Sequence, residues 1–540
     1  MDRKIVNIFS AFIIPIITFF LFELLFKNVS IDRVYNFFEN SLLACVIILM
    51  SFFIDNLWFK KFYLKTGIVI FISCLFIETF YYYHFESLFS ASTIFVILET
   101  NNAEAADFLR SYFAKPIIVF LLILSVGFIV YGIKVINRNV AEISILKRDK
   151  IKCILLGLSI IIILKITNLI VFNVPYLAVK TPITYFQESN KLKNYGGENP
   201  LGSFKNVRHY ELKGKKELYI IAIGESASKS HFQIYNYYRK TTPLLYDIKD
   251  ELLVLNNVIS PHAYTIGSLT KGLTLGNVEN PEGKYKGSII QLLNQAGFKT
   301  YWVSNQRPIG ISDTQVTKIA KGATKSVFIN IKHTSENTPY DEVLLPELNK
   351  IISEKGDKKV VFLHMIGEHF HYEKRYPPEF DYFNVDPNTK FKRDDVYKTI
   401  NSYDNAIRYT DTILNEVIKI TRKQNVNSFV LYFSDHGQEV YDDIDFFGQT
   451  IDQMVTKNMF EIPMILWMSN TYKSNNQITF NKDKKYMTDD VIHTIADLCN
   501  VTSEEIDSTR SIFNEHFKER KRIIKNDIDF DATFYLNGNQ

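Results

Sequence analysis

Residues 217–226 read ELYIIAIGES and residues 428–437 read SFVLYFSDHG. Each is an apolar run of strand length that stops on a carboxylate, too short and too closely flanked by polar residues for a helix. Similar runs recur at Leu252–Leu255, Lys299–Val303, Val360–Met365 and Glu461–Trp467, separated by stretches of helical period such as Ser288–Ala296 and Asn401–Ile418. This alternation predicts a mostly parallel sheet covered by helices. In such sheets ligands gather beyond the carboxyl ends of the strands, so the residues just past each run carry the chemistry.

Past the first run stand Gly224, Glu225 and Ser226, and past the second lies the loop SPHAYTIGSLT (260–270). The run at Val360 leads into HMIGEH (364–369), and the run at Ser428 into SDHG (434–437). One DHG is a common turn, and one loop threonine is a common cap. Strand ends that together offer Glu, Thr, His and Asp-His form the donor set that a borderline divalent metal such as zinc prefers. A metal beside a hydroxyl also turns that hydroxyl into a nucleophile.

The first third of the chain obeys a different solvent. The 540 residues are 47% hydrophobic and 22% charged, and the mean hydropathy is -0.03. That average joins two unlike parts. Five segments approach the roughly 20 apolar residues needed to cross a bilayer: Ile8–Phe26, Ser41–Phe59, Thr66–Phe85, Pro116–Ile136 and Ile154–Phe172. The expected organisation is a transmembrane domain over 1–173, a bridging segment over 174–215 punctuated by Pro, Gly and Asn, and one large α/β domain over 216–540. Arg3 and Lys4, then Lys60, Lys61 and Lys65, then Lys134, Arg138, Lys147, Arg148, Lys150 and Lys152 flank alternate ends of these spans. The rule that basic loops stay in the cytoplasm then puts the large C-terminal domain outside.

Glu23, Asp55 and Glu78 fall within or at the ends of spans, where a carboxylate must be partnered in protein, sit at the interface or hold a lipid headgroup. The outward loop 86–115 is half apolar and reads as an interfacial connector, with Glu99, Asn102 and Glu104 as the side chains able to meet a headgroup. A net charge of +4 with no basic stripe excludes nucleic acid as a partner class. Three of the four cysteines (Cys45, Cys74, Cys153) accompany apolar runs, and Cys499 stands alone in the polar region. No bridge can form within the soluble domain.

The order IIAIGES, a Thr-bearing loop, HMIGEH and YFSDHG behind five spans resembles the membrane phosphoethanolamine transferases of Gram-negative bacteria, a branch of the alkaline phosphatase and sulfatase superfamily. ETNNAEAADFL in the outward loop, NYYRKTTP after the first motif and NSYDNAIRYTD before the SDHG strand extend the likeness over the whole chain. The resemblance implies an α/β/α sulfatase-like catalytic domain in the periplasm, anchored in the inner membrane. It also implies a phosphatidylethanolamine donor and a lipopolysaccharide or other envelope glycan acceptor.

Carried over by motif, one zinc (manganese being the alternative metal) would be held by Glu225, Thr265, Asp435 and His436, with Thr265 the nucleophile. Thr270 and Ser268 are competing hydroxyls, and Ser226 is the fallback. His369 and His364 would contact substrate phosphate or a second metal. Relatives have a histidine near the position of Gln449, which could donate a hydrogen bond to phosphate but is a poor metal ligand, so a tightly held second zinc is not expected. Asn305, Gln306 and His262 are further phosphate contacts or loop stabilisers. The lipid A branch carries a disulfide around the nucleophile loop, and Pro261 and Lys271 stand in its place, which points towards the branch that modifies core sugars. A phosphoglycerol transferase, an outer-face sulfatase or phosphatase, and a catalytically dead receptor are the rival readings.

Overall fold

The computed structural model of the chain describes all residues except 1–2, 28, 86–87, 100–104, 106–108, 110–112, 114, 141–146, 168, 192–198, 211–215, 307–314, 331–337, 450–454 and 537–540. Two compact units divide near residue 187.

The first unit is helical: α1 (Arg3–Phe26), α2 (Ile31–Ser51), α3 (Leu57–Phe85), α4 (Ala91–Glu99), α5 (Pro116–Asn139), α6 (Lys147–Ile166) and α7 (Val174–Lys191). Among the described residues, α1, α2, α3 and α5 are long and apolar enough to cross a membrane. The expected fifth span is helical too, but α6 opens with Lys147, Arg148, Asp149, Lys150 and Lys152 and carries Lys165 in its last turn, so its apolar stretch is shorter than the others. Phe12, Phe19, Phe71, Leu121 and Ile136 form its buried centre, while Leu25, Phe120, Ile123 and Val126 are exposed. A water-soluble bundle would not present such a surface.

The second span differs from the expected Ser41–Phe59. The helix starts ten residues earlier, where Ser30 caps it by accepting the Arg33 N–H at 3.3 Å, and it breaks after Ser51. Its first turns carry Arg33, Asn36, Glu39 and Asn40, which hydropathy assigns to water but which are all buried. Arg33 forks onto Glu23 at 2.6 and 2.7 Å and reaches Glu78 at 3.3 Å. Asn40 donates to Glu78 at 2.7 Å and Asn173 to Glu39 at 2.8 Å. Glu23 and Glu78 are therefore protein-partnered, and Asp55 is an exposed residue paired with Lys150.

The second unit is built on a seven-stranded sheet: β1 (Glu217–Gly224), β2 (Leu252–Val254), β3 (Lys299–Ser304), β4 (Lys325–Phe328), β5 (Lys358–His364), β6 (Asn427–Ser434) and β7 (Met464–Met468), in the order β2-β7-β6-β1-β5-β3-β4. β7 runs antiparallel to both neighbours, and the other pairings are parallel. All six expected runs are strands. The short, half-buried KSVF of β4 was not anticipated, because an edge strand of four residues has too little apolar pattern to stand out.

Each strand faces two cores. Tyr219, Ile221 and Ile223 pack on one side with α9 (Ile289–Gln295) and α12 (Val491–Leu498), following the short helix α8 (Thr265–Gly272) in the chain. Leu218, Ile220 and Ala222 pack on the other with α10 (Leu344–Ser353) and the long α11 (Asp394–Arg422). This burial on both faces is why the strands read as unbroken apolar runs. Gly224 pairs with Ser434 and Ile223 with His364, so three of the chemistry-bearing turns leave one sheet edge side by side.

Candidate active site and metal centre

Glu225, Asp435 and His436 follow the neighbouring strands β1 and β6, each 1% exposed or less. Their ligand atoms lie within 4.8 Å of one another. Ser226 adopts φ 59°, a left-handed turn that is costly for a non-glycine residue and persists where its surroundings over-determine it. Here they do. Asp435 Oδ1 accepts the Ser226 N–H at 2.9 Å and the His436 N–H at 2.7 Å, and Ser226 Oγ donates to Glu225 Oε1 at 2.8 Å.

The opposite face of this set is left open for a cation. His436 Nδ1 lies 2.8 Å from the Gly437 carbonyl, which fixes the proton on Nδ1 and turns the Nε2 lone pair inward. His436 Nε2 and Asp435 Oδ2 are buried without a hydrogen-bond partner, and each lone pair aims at the same small volume. Burial and the charge of Glu225 push the Asp435 carboxyl up to about 7. Burial opposes charging of His436, but Asp435 and Glu225 outweigh it and lift the imidazole to about 9. Burial would likewise raise Glu225, yet the imidazole of His436, its Nε2 3.4 Å from Glu225 Oε1, with His369 beyond, holds it below the usual carboxylate range. The Asp435 carboxyl and the His436 imidazole, buried beside an ionised Glu225, thus keep protons that a divalent metal would displace. The donor set of two oxygens and one nitrogen, with a hydroxyl for the fourth position, fits tetrahedral zinc.

Thr265 places a hydroxyl beside this set. It opens α8, and its Oγ1 donates to Glu225 Oε2 at 3.1 Å. The unpaired first-turn amides and the dipole of a helix start favour negative charge there. Of the competing hydroxyls, Ser268 donates to the His262 carbonyl at 2.7 Å, and Thr270 sits a turn and more further along the same helix. His262 itself is buried beside the loop, and desolvation followed by the charges of Lys271 and Lys525 keeps its imidazole neutral.

The turn after β5 closes the site from the other neighbouring strand. Gly367 has φ 45°, and a Cβ there would lie 2.9 Å from both the N and the O of Glu225. The Glu368 N–H donates to the Glu225 carbonyl at 3.0 Å. His369 is half-buried at the end of this turn, and its charge reaches Glu225. His364 lies tilted against Trp302, ring centres 5.3 Å apart, and meets Ser304 Oγ at 3.1 Å; burial, only partly opposed by Glu225, presses it down to about 4 and keeps it neutral. Gln306 donates to Glu225 Oε2 at 2.8 Å and to the Met365 carbonyl at 2.9 Å. Asn305 is turned away, its amide engaged by Pro339 and Asp341. Gln449 follows the two-residue pair of Glu439–Val440 with Phe447–Gly448, and Phe447 stacks on Phe370, next to His369. Glu99 ends α4, but its side chain, like all of Asn102 and Glu104, lies outside the described residues.

Sequence reasoning missed several supports. Asp341 accepts the Ile366 and Gly367 N–H groups at 2.9 Å each, and no motif marks it. NSYDNAIRYTD and NYYRKTTP were visible as motifs without a role, and they meet in space. Tyr403 bonds the Ser226 carbonyl and the Ser228 N–H, both at 2.8 Å, Thr410 holds Glu368 at 2.7 Å, and Arg239 pairs with Asp404 at 2.8 Å. They form the floor on which the Glu225 turn rests.

Such a metal-poised cluster at the ends of parallel strands, with a loop hydroxyl aimed into it, defines a phosphoryl- or sulfuryl-transfer centre. The sulfatase family model matches residues 217–501. Phosphoethanolamine transferase EptC of Escherichia coli K12 is 30% identical over 504 residues, covering 85% of each chain. The crystal structure of the C-terminal periplasmic domain of that bacterium's EptC in complex with Zn aligns with a TM-score of 0.59 and 32% identity, covering 63% of this chain and all of the other. The integral membrane lipooligosaccharide phosphoethanolamine transferase A of Neisseria meningitidis shares the fold over 95% of this chain and 98% of its own, with a TM-score of 0.68 at 18% identity. The chain belongs to the sulfatase family and, within it, to the membrane phosphoethanolamine transferases.

Proposed function

We propose that the protein moves phosphoethanolamine from phosphatidylethanolamine to a lipopolysaccharide acceptor, a core sugar in preference to lipid A, by double displacement on Thr265. The observation that carries this is the Thr265 hydroxyl 3.1 Å from Glu225, in a buried set whose Asp435 Oδ2 and His436 Nε2 have no other partner. Glu225, Asp435, His436 and Thr265 would hold one zinc, which when bound lowers the hydroxyl pKa and neutralises charge on the phosphoryl oxygens. Thr265 Oγ attacks phosphorus, its proton passing towards Glu225 Oε2. Diacylglycerol leaves with the bridging oxygen, which takes up the proton released by Thr265, and phosphoethanolamine stays on Thr265. The first amides of α8 meet the equatorial oxygens. An acceptor hydroxyl or phosphate then attacks from the side of His369, which takes its proton, and Thr265 is regenerated.

The apolar helices make the protein multi-pass, and the basic ends of the spans place the catalytic unit in the periplasm, with the inner membrane supplying donor lipid. Mass spectrometry of the full chain after incubation with phosphatidylethanolamine vesicles tests this. The expected result is one phosphoethanolamine on the peptide bearing Thr265, absent from Thr265→Ala, and lipopolysaccharide heavier by the same group in cells that express the protein. An adduct on Ser226, or a phosphoglycerol adduct from phosphatidylglycerol, would overturn the reading.

A further inference from the structure

The loop that carries Thr265 is held at both ends by one distant turn. Strands Ile523–Ile524 and Ile528–Asp529 form an antiparallel hairpin near the C-terminus. Its turn residues Lys525 and Asn526 have φ 55° and 80°, a left-handed conformation that asparagine tolerates better than most residues. The Lys525 N–H donates to the Pro261 carbonyl at 2.9 Å. Lys271 Nζ donates to Asn526 Oδ1 at 2.6 Å. Pro261 precedes the loop and Lys271 lies in the last turn of α8, so consecutive turn residues grip the two sides of His262–Thr270.

The hairpin is itself anchored beneath that loop. Ile524 and Phe530 are fully buried against Ile259 and Ala263 from the loop's own approach and against Met459, Phe460 and Met487. Arg522, 1% exposed, donates to the Asn257 carbonyl at 3.1 Å and its side chain at 2.8 Å, and forks onto Asp531 at 3.0 and 2.6 Å. Tyr535 reaches Glu461 at 2.6 Å. None of these contacts touches the metal-poised set, and those with Asn257, Ile259 and Ala263 fix the approach to the segment that presents the hydroxyl.

We propose that the Lys525–Asn526 turn is a positioning device for the transfer reaction: it fixes the distance between Pro261 and Lys271 and so keeps Thr265 Oγ in register with Glu225. This rests on the reading of Thr265 as nucleophile. Lys271 and Asn526 are positioning residues that act through the loop.

Asn526 is exposed and its φ suits glycine, so Asn526→Gly removes the side-chain clasp without straining the turn. Asn526→Asp keeps an oxygen for Lys271 Nζ. With full-length protein in detergent, Asn526→Gly is expected to lower kcat about three- to tenfold, the range a single lost hydrogen bond allows, with KM for phosphatidylethanolamine unchanged. Amide exchange over 262–270 should quicken by a similar factor while β1 and β6 keep wild-type protection. Asn526→Asp should restore both values, and Lys271→Met should reproduce the glycine variant. Wild-type exchange over 262–270 in Asn526→Gly, or a kcat deficit that Asn526→Asp fails to repair, would overturn the proposal. The exchange measurement does not depend on which group is the nucleophile, whereas the mass of the Thr265 peptide reports only on that, so the two readings fail separately.

Discussion

His231 shows how far a residue's role can lie from its motif. It sits 2% exposed, with Nδ1 at 2.7 Å from Asp404 and Nε2 at 3.2 Å from Asp442, and it joins the turn after β1 to α11 and to the segment beyond SDHG. Burial disfavours its charge, but Asp442 and Asp404 more than compensate and lift the imidazole from 6.5 to about 10. A raised pKa of this kind contributes stability that is complete below about pH 6.5, declines as the pH rises and is gone above the folded value near 10. His231→Gln is therefore expected to lose roughly 3 kcal/mol at neutral pH, the scale of breaking a buried pair. Denaturant melts of both proteins from pH 6 to 10 should show the gap closing; a gap of constant size would refute the charged pair. Nothing local betrays this histidine, because both its partners lie more than 170 residues away in sequence. By contrast Glu225, Asp435 and His436 were legible, because a parallel sheet delivers strand-end residues to one edge wherever they stand in the chain.

Turns and helices divide in the same way. The turn after β5 was recognisable as HMIGEH, but only the fold shows why residue 367 is glycine: a Cβ would meet Glu225 backbone, which cannot yield, and φ is positive as well. Gly367→Ala should weaken zinc binding about 10- to 100-fold, as loss of a ligand's support does. Chelator competition measures this directly, and wild-type affinity would contradict the close approach. In the membrane unit, hydropathy found α1, α3 and α5 but misplaced α2, since a window average cannot know that Arg33, Asn36, Glu39 and Asn40 turn inward and satisfy Glu23 and Glu78. Arg33→Leu leaves those carboxylates buried without their cation, at a cost of roughly 3–5 kcal/mol. Arg33→Lys should rescue little, because an ammonium cannot fork onto both Glu23 oxygens. Thermal unfolding in detergent, followed by helical circular dichroism, is the check, and a wild-type midpoint for Arg33→Leu would mean the network carries no stability.

At the scale of the molecule, two units in one chain explain an average hydropathy near zero, and they also make a single unfolding free energy meaningless. The catalytic unit closes without disulfides, its lone Cys499 being buried, and Pro261 and Lys271 are joined through the hairpin clasp. A non-covalent clasp does not hold the chain together once it opens, so a zinc held as proposed would become the strongest tie between the ends of β1 and β6 and the start of α8. Stripping zinc with a chelator should lower the melting of the catalytic unit, by about 4 kcal/mol relative to free zinc at a thousand times its Kd, while the helical signal of the membrane unit persists. With Gln449 in place of an imidazole, protein dialysed against zinc-free buffer should retain about one zinc per chain, the count expected of the single buried set Glu225, Asp435 and His436 found among the described residues. Two retained ions would show that His369 and its neighbours bind a second metal without that imidazole, and a melt indifferent to chelation of a fully stripped protein would show that the metal serves chemistry alone.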